Sequence, residues 1–232
     1  PPSIPMVIYG MLSGASVGKL FIGGMVPGIL LAALLAVYCF FISRKRNYPA
    51  GVIMTVREFL RATLVALPAL LTVVLLLGGI YGGVCTPTEA GALASAYALL
   101  IGFLVYRSLG WEKLKVILKK TAANTATLAL LTGTAYLFSF VVALEKVPAT
   151  VATFVTGICP SKEIFLLVVN IVFLLLGCVL DVSCIQLVFV PMVLPLVNAF
   201  GIDLVHFGIV CNVNIMIGGL TPPFGSMMFT CV

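Results

Sequence analysis

The segment Gly218-Gly219-Leu220-Thr221-Pro222-Pro223-Phe224-Gly225-Ser226 lies between two predominantly apolar runs, 209–217 and 227–232, and no α-helix passes through it intact. Two successive prolines remove two amide donors and clash with the preceding turn, while the flanking glycines accept backbone angles that other residues avoid. Carbonyl groups are therefore left without helical partners. In hydrocarbon such groups persist only where protein buries them or a wet cavity solvates them, and broken helices at that depth are how many secondary transporters hold ions and substrate. The other Pro-Pro pair of the chain, in Pro1-Pro2-Ser3-Ile4-Pro5, precedes a second apolar run at 6–11 and stands 221 residues earlier. Two such breaks fit equivalent positions in two halves of a repeat. They fit equally a coincidence of short motifs, because the identity between the copies is brief.

Composition makes the lipid bilayer the solvent. Hydrophobic residues are 62% of the 232 and charged residues 9%, against about 25% charge in soluble domains. At about 20 residues per span plus connections, the chain has room for roughly seven membrane-length elements. It opens without an initiator methionine or a cleavable leader and ends inside an apolar run, so both ends read as cut. The net charge of +6 does not mark a nucleic-acid surface, because the basic residues fall into two clusters. Arg44, Lys45, Arg46, Arg57 and Arg61 form one, and Arg107, Lys113, Lys115, Lys119 and Lys120 form the other, as cytoplasmic loops of membrane proteins do. Seven cysteines without CxxC spacing, in a chain with one histidine, read as buried thiols filling space.

In chain order, residues 1–17 hold the end of a broken helix, and 18–63 hold a membrane span, a basic cytoplasmic loop and an interfacial arm helix. Residues 64–160 supply further spans, 161–200 a re-entrant hairpin whose second arm is short before Pro191 and Pro195, and 201–232 a second broken helix. Two spans, 64–80 and 90–106, connect the two basic loops, which places both loops on one side and the turn around Thr86 on the other.

Three carboxylates carry competing readings. Glu89 stands three residues after Thr86 with Pro87 between them, the spacing of a capping box, yet a carboxylate near the membrane is also a functional candidate. Asp181 is closely flanked on both sides by membrane-grade sequence and sits at the expected hairpin tip, or else in an ordinary external loop. Asp203 lies three before His206, which fits a capped, solvated connection better than a proton relay. Asn212 and Asn214 precede the final break and are placed to hydrogen-bond its freed backbone groups.

The ordered motifs resemble the large membrane subunit (M subunit) of TRAP transporters, binding-protein-dependent secondary transporters. They are Gly78-Gly79-Ile80-Tyr81-Gly82-Gly83-Val84 with Thr86-Pro87-Thr88-Glu89-Ala90, then Gly201-Ile202-Asp203 with His206-Phe207-Gly208, then Asn214 and Ile217-Gly218 with Thr221-Pro222-Pro223-Phe224-Gly225, and Pro1-Pro2-Ser3-Ile4-Pro5. The likeness covers essentially the whole chain and corresponds to little more than the C-terminal half of that family's chain. Val182 stands where the family commonly has proline, and Met216 where a small or acidic residue is frequent.

The resemblance implies an all-α, inverted-repeat, elevator-type transporter with helical hairpins and broken helices, multi-pass in the bacterial inner membrane. It implies that Na+ drives uptake of an organic acid, of dicarboxylate or sialic-acid type, delivered by a periplasmic binding protein (P), with a small membrane subunit (Q) as companion. Sodium ligands implied are Gly177, Asp181, Ser183, Gly218, Thr221, Phe224 and Gly225 for one site, and Pro1 and Ser3 for part of another; Ser3, Asn214 and Ser226 would meet the substrate. Hard oxygen donors suit sodium, and half-helix amino ends near Ser3 and Ser226 suit a substrate carboxylate. A binding-protein-independent sodium/carboxylate symporter of the same architecture is the alternative. An intramembrane enzyme using Asp181 and Asp203 lacks a nucleophile pairing, and a passive scaffold is the remaining reading.

The breaks separate transporter from scaffold. Replacing Pro222 and Pro223 together by alanine restores helix-forming residues across the segment and is expected to abolish uptake in proteoliposomes while membrane insertion is kept. A scaffold would tolerate the change.

Overall fold

The computed structural model describes residues 2–48, 51, 54–147, 150–151, 155, 157, 161–223 and 225. Its described elements are helices: α1 (Ile4–Ser13), α2 (Val17–Lys45), α3 (Val56–Tyr81), α4 (Pro87–Leu104), α5 (Trp111–Leu144), α6 (Lys162–Val179), α7 (Val182–Ala199) and α8 (Leu204–Gly219). Six of them, α2 to α7, are long and apolar enough to cross a membrane, and α1 and α8 are shorter apolar helices. Among the described residues the regular structure is all helical, and the spans are those of a multi-pass membrane protein.

The helices divide into two compact units, Gly28–Ala123 and Pro1–Pro27 with Asn124–Val232. Within the first, α3 and α4 form an antiparallel pair. The turn between them ends in a reciprocal cap, in which the Thr86 amide donates to Glu89 Oε2 at 2.8 Å and the Glu89 amide to Thr86 Oγ1 at 3.3 Å. Glu89 thus has a local structural role. Two tyrosines then serve carbonyls beside Pro68, which lies inside α3: Tyr97 donates to the Pro68 carbonyl at 3.1 Å and Tyr106 to the Val65 carbonyl at 2.7 Å. These bonds tie the region around the proline in α3 to the residues in and just after α4. The stretch expected to lie along the interface forms the first turns of α3, capped by Thr55 and Glu58 in the same reciprocal way.

In the other unit, α6 and α7 are joined through Leu180 and Asp181 as a helical hairpin; α8 packs on both arms, and α1 packs on α7 and α8. Tyr9, Phe21, Phe165, Phe173, Phe207, Ile185 and Ile215 are fully buried there. Tyr9 donates its hydroxyl to the Leu204 carbonyl at 2.7 Å, and its ring occupies the space that a side chain at Gly208 would need. Between helices that leave lipid, burial brings little hydrophobic gain, so close packing and interhelical hydrogen bonds supply the stability. A close backbone approach joins Gly177 of α6 to Gly218 of α8: a Cβ on Gly177 would stand 2.9 Å from Gly218 Cα, and one on Gly218 would stand 2.7 Å from the Leu174 carbonyl oxygen.

Three expectations change. Pro191 and Pro195 do not end the second hairpin arm but lie inside α7, which continues to Ala199; packed neighbours let a membrane helix survive missing donors. The second basic stretch is not wholly a loop: from Trp111 onward it is the start of the 34-residue α5, about 51 Å long and so able to reach well beyond a hydrocarbon layer of about 30 Å. Lys115 and Glu112 pair across one turn there at 3.0 Å. Among the cysteines, Cys178 and Cys211 are buried, but Cys39 is exposed and Cys85 and Cys184 are half-buried; Cys159 and Cys231 lie outside the described residues.

The glycine crossing yields a direct test. Gly218→Ala forces backbone against backbone and is expected to cost about 1–3 kcal/mol, read as a lowered midpoint of thermal unfolding in detergent. Gly91→Ala, inside α4 where a Cβ meets open space, serves as the control and is expected to hold the midpoint or raise it slightly, alanine being the better helix former.

Candidate functional site

The Gly177–Gly218 crossing lies within two residues of the end of α6, at Val179, and one residue from the end of α8, at Gly219. Two helix C-termini therefore lie side by side. A helix end leaves four carbonyls without intrahelical donors and carries about half a negative charge. Each end here finds partial relief. On α6, Leu180 donates its amide to the Leu176 carbonyl at 2.8 Å, and the Cys178 carbonyl accepts from the Gly225 amide at 3.4 Å. Gly225 is buried with φ 53°, a conformation that glycine adopts without a Cβ penalty.

On α8, the amides that would continue the ladder to the carbonyls of Gly218 and Gly219 belong to Pro222 and Pro223 and do not exist. The Thr221 amide turns back to the Gly218 carbonyl at 2.8 Å, and the Leu220 amide to the Ile217 carbonyl at 3.1 Å. The Thr221 hydroxyl donates to that same Ile217 carbonyl at 2.8 Å, so its oxygen lone pairs stay available. The bond between Pro222 and Pro223 is cis.

Directly after α6, Asp181 caps α7: its Oδ1 accepts the Ser183 amide at 2.9 Å, and the residue is exposed. The tip thus sets one carboxylate and the amino end of α7 beside the carboxyl end of α6. Asp203 is likewise a cap, accepting the His206 amide at 2.9 Å, which accounts for that pair as a helix start. Ser3 caps α1, its hydroxyl oxygen accepting from the Met6 amide at 3.4 Å, and is half-buried.

Of the residues expected to serve ion and substrate, Gly177, Gly218, Thr221 and Gly225 come together with the tip. Pro1, Phe224 and Ser226 lie outside the described residues. Asn214 is placed differently from expectation. Buried, it donates to the Asn170 carbonyl of α6 rather than to the break. Asn212 donates to the Gly208 carbonyl at 2.7 Å and accepts from Gln186 of α7, also at 2.7 Å. Gln186 is wholly buried and escaped the sequence reading, although an amide inside an apolar run is itself a signal. Among the described residues no three His, Cys, Asp or Glu side chains cluster. The donor set at the two helix ends is carbonyl, hydroxyl and carboxylate oxygen, which fits a hard cation.

Comparison with known proteins gives this geometry its context. Residues 1–232 match the family described as "Tripartite ATP-independent periplasmic transporter, DctM component". The chain belongs to that family. It is 40% identical over 229 residues to a sialic acid TRAP transporter large permease protein of Vibrio cholerae, covering 99% of this chain and 54% of that protein. Over the same shares it is 41% identical to the C4-dicarboxylate TRAP transporter large permease protein of Pseudomonas aeruginosa. With the isethionate TRAP transporter permease protein of Oleidesulfovibrio alaskensis it shares 39% identity over 230 residues, 36% of that protein. The chain spans about half the length of the first two relatives. These relatives are permeases and not enzymes, and with six membrane-length helices the chain is a multi-pass inner-membrane protein.

The two roles of Asp181 can be separated. Asp181→Ala removes the cap and is expected to cost about 1 kcal/mol, seen as a lowered unfolding midpoint. Asp181→Ser keeps a capping oxygen and is expected to recover most of that loss while leaving the tip uncharged.

Proposed function

We propose that the chain is the ion- and substrate-handling part of a sodium-coupled secondary transporter that imports an organic acid. The observation that carries this reading is the pair of helix C-termini meeting at Gly177 and Gly218 beside the Asp181 tip. Backbone carbonyls there, with Thr221 Oγ1 and the Asp181 carboxylate, offer a dehydrated sodium ion oxygen ligands without a large fixed charge. The amino end of α7 and the bound cation together favour a carboxylate on the substrate. Family membership supports delivery by a periplasmic binding protein with a small Q subunit as companion in the membrane, and relatives named for sialic acid and C4-dicarboxylates support an organic acid as substrate.

Coupling has a simple physical basis in this reading. Sodium draws the two carbonyl ends together, and the ordered tip then binds the acid more tightly; by linkage the acid tightens sodium equally. Inward movement of each unpaired positive charge gains about 2.3 kcal/mol per 100 mV of membrane potential. The hairpin, α1 and α8 would travel across the bilayer as a body in an elevator cycle, and the Ser3 start of α1 would be the repeat-related counterpart of the second break.

Uptake by the complete permease complex in proteoliposomes, with its binding protein and candidate acids, tests the proposal. Uptake is expected in sodium and not in potassium buffer, and Thr221→Ala is expected to raise the sodium concentration for half-maximal rate about tenfold, the equivalent of ~1.4 kcal/mol of ion-binding energy. Uptake that ignores sodium, or that needs no binding protein, would overturn it.

A further inference from the structure

Helix α8 carries two asparagines two positions apart, and at 100° per residue they point to nearly opposite sides. Asn214 reaches the Asn170 carbonyl on one hairpin arm, α6. Asn212 meets Gln186 on the other arm, α7, at 2.7 Å, and its own amide returns to the Gly208 carbonyl at 2.7 Å. Helix α8 is thus held from both sides by side-chain amides, and it ends where its glycine crosses α6.

Stability alone does not explain Gln186. The residue is completely buried, and its Oε1 has no hydrogen-bond partner among the described residues. A buried acceptor left unpaired is costly, and an apolar side chain of similar volume would fill the space without that cost. Ile185 and Val190 on α7, with Cys211 and Ile215 on α8, are apolar and buried. Such surfaces specify a helix register poorly. One buried polar pair specifies it well, because a slipped register leaves the Gln186 amide NH2 and the Asn212 Oδ1 without each other in an apolar setting.

We infer that Gln186 and Asn212 form a register pin, a pair of positioning residues that fixes the height of α8 against α7 and thereby sets the Gly218–Thr221 break level with the hairpin tip. Neither residue touches the ion or the substrate. A one-turn slip would carry the break about 5.4 Å from the Gly177 end and pull the carbonyl ligands apart. Individually the pin's two residues contribute little that packing could not replace; together they choose one alignment.

The ion arm of the test rests on the sodium reading above; a distance arm does not. In the detergent-solubilised full-length complex, the unfolding midpoint is followed in potassium chloride and during titration with sodium chloride, for the parent, Q186L, Q186L/N212L and the reach-conserving exchange Q186N/N212Q. Q186L is expected to lower the midpoint in potassium and to raise the half-saturating sodium concentration about tenfold. The double leucine variant is expected to regain the midpoint, since both polar groups are gone, yet to keep the sodium defect. The exchange variant is expected to restore sodium response to within about threefold, because it rebuilds the hydrogen bond. A double leucine variant with parental sodium response would overturn the pin, as would a Q186L protein with no sodium defect.

The distance arm places spin labels at Ala199, on the end of α7, and Leu220, just past α8, on a cysteine-free background; both positions are exposed. The parent is expected to give one narrow distance and Q186L/N212L a broadened one or a second population about 5 Å away. Identical distributions in both would overturn the pin even if the parent showed no response to sodium, a result that would itself refute the sodium reading.

Discussion

Backbone carbonyls have no water to bond in hydrocarbon, and the second unit of this protein is arranged around that constraint. A continuous helix hides every carbonyl but its last four; a helix that ends inside the bilayer must give those four to something else. At Val179 and Gly219 two helix ends are brought together through a glycine–glycine crossing too close for any Cβ. The prolines at 222 and 223 ensure that α8 cannot regain its donors by continuing. Oxygen atoms that would be a liability in a structural helix are thereby collected in one place, where a cation is the natural complement.

Backbone groups elsewhere in the protein are satisfied by other devices. Around Pro68, tyrosine hydroxyls from the α4 side serve nearby carbonyls of α3, and at Thr86 and Thr55 threonine–glutamate boxes close the helix starts. These devices are local. At the tip and the break, the Thr221 hydroxyl and the Asp181 carboxylate retain acceptor capacity beyond their own bonds, and they do so beside two helix C-termini.

Much of this was legible in the sequence, because the features that matter are written in residue types with fixed mechanical consequences. Pro-Pro with flanking glycines announced the break, Thr86 to Glu89 announced a cap, and the apolar runs announced the spans. What the sequence hid were consequences of packing. Pro191 and Pro195 look like helix stops, yet tertiary neighbours let α7 run through both. The basic stretch from Trp111 looks like a loop, yet it is a solvated extension of α5. Asn212 and Asn214 look like partners for the nearby break, whereas their actual partners, Gln186 and Asn170, lie on different helices 26 and 44 residues away. Sequence spacing along one helix gives direction, but it cannot say which neighbour stands there.

The central claim is that the adjoining ends of α6 and α8 form a cation site. Direct imaging of the complete permease complex, determined at high resolution once in sodium and once in choline, tests it. The account predicts a spherical density in sodium ringed by the Gly177 and Gly218 carbonyl oxygens and Thr221 Oγ1, absent in choline. The two helix ends hydrated alike in both conditions, with no ion between them, would contradict it.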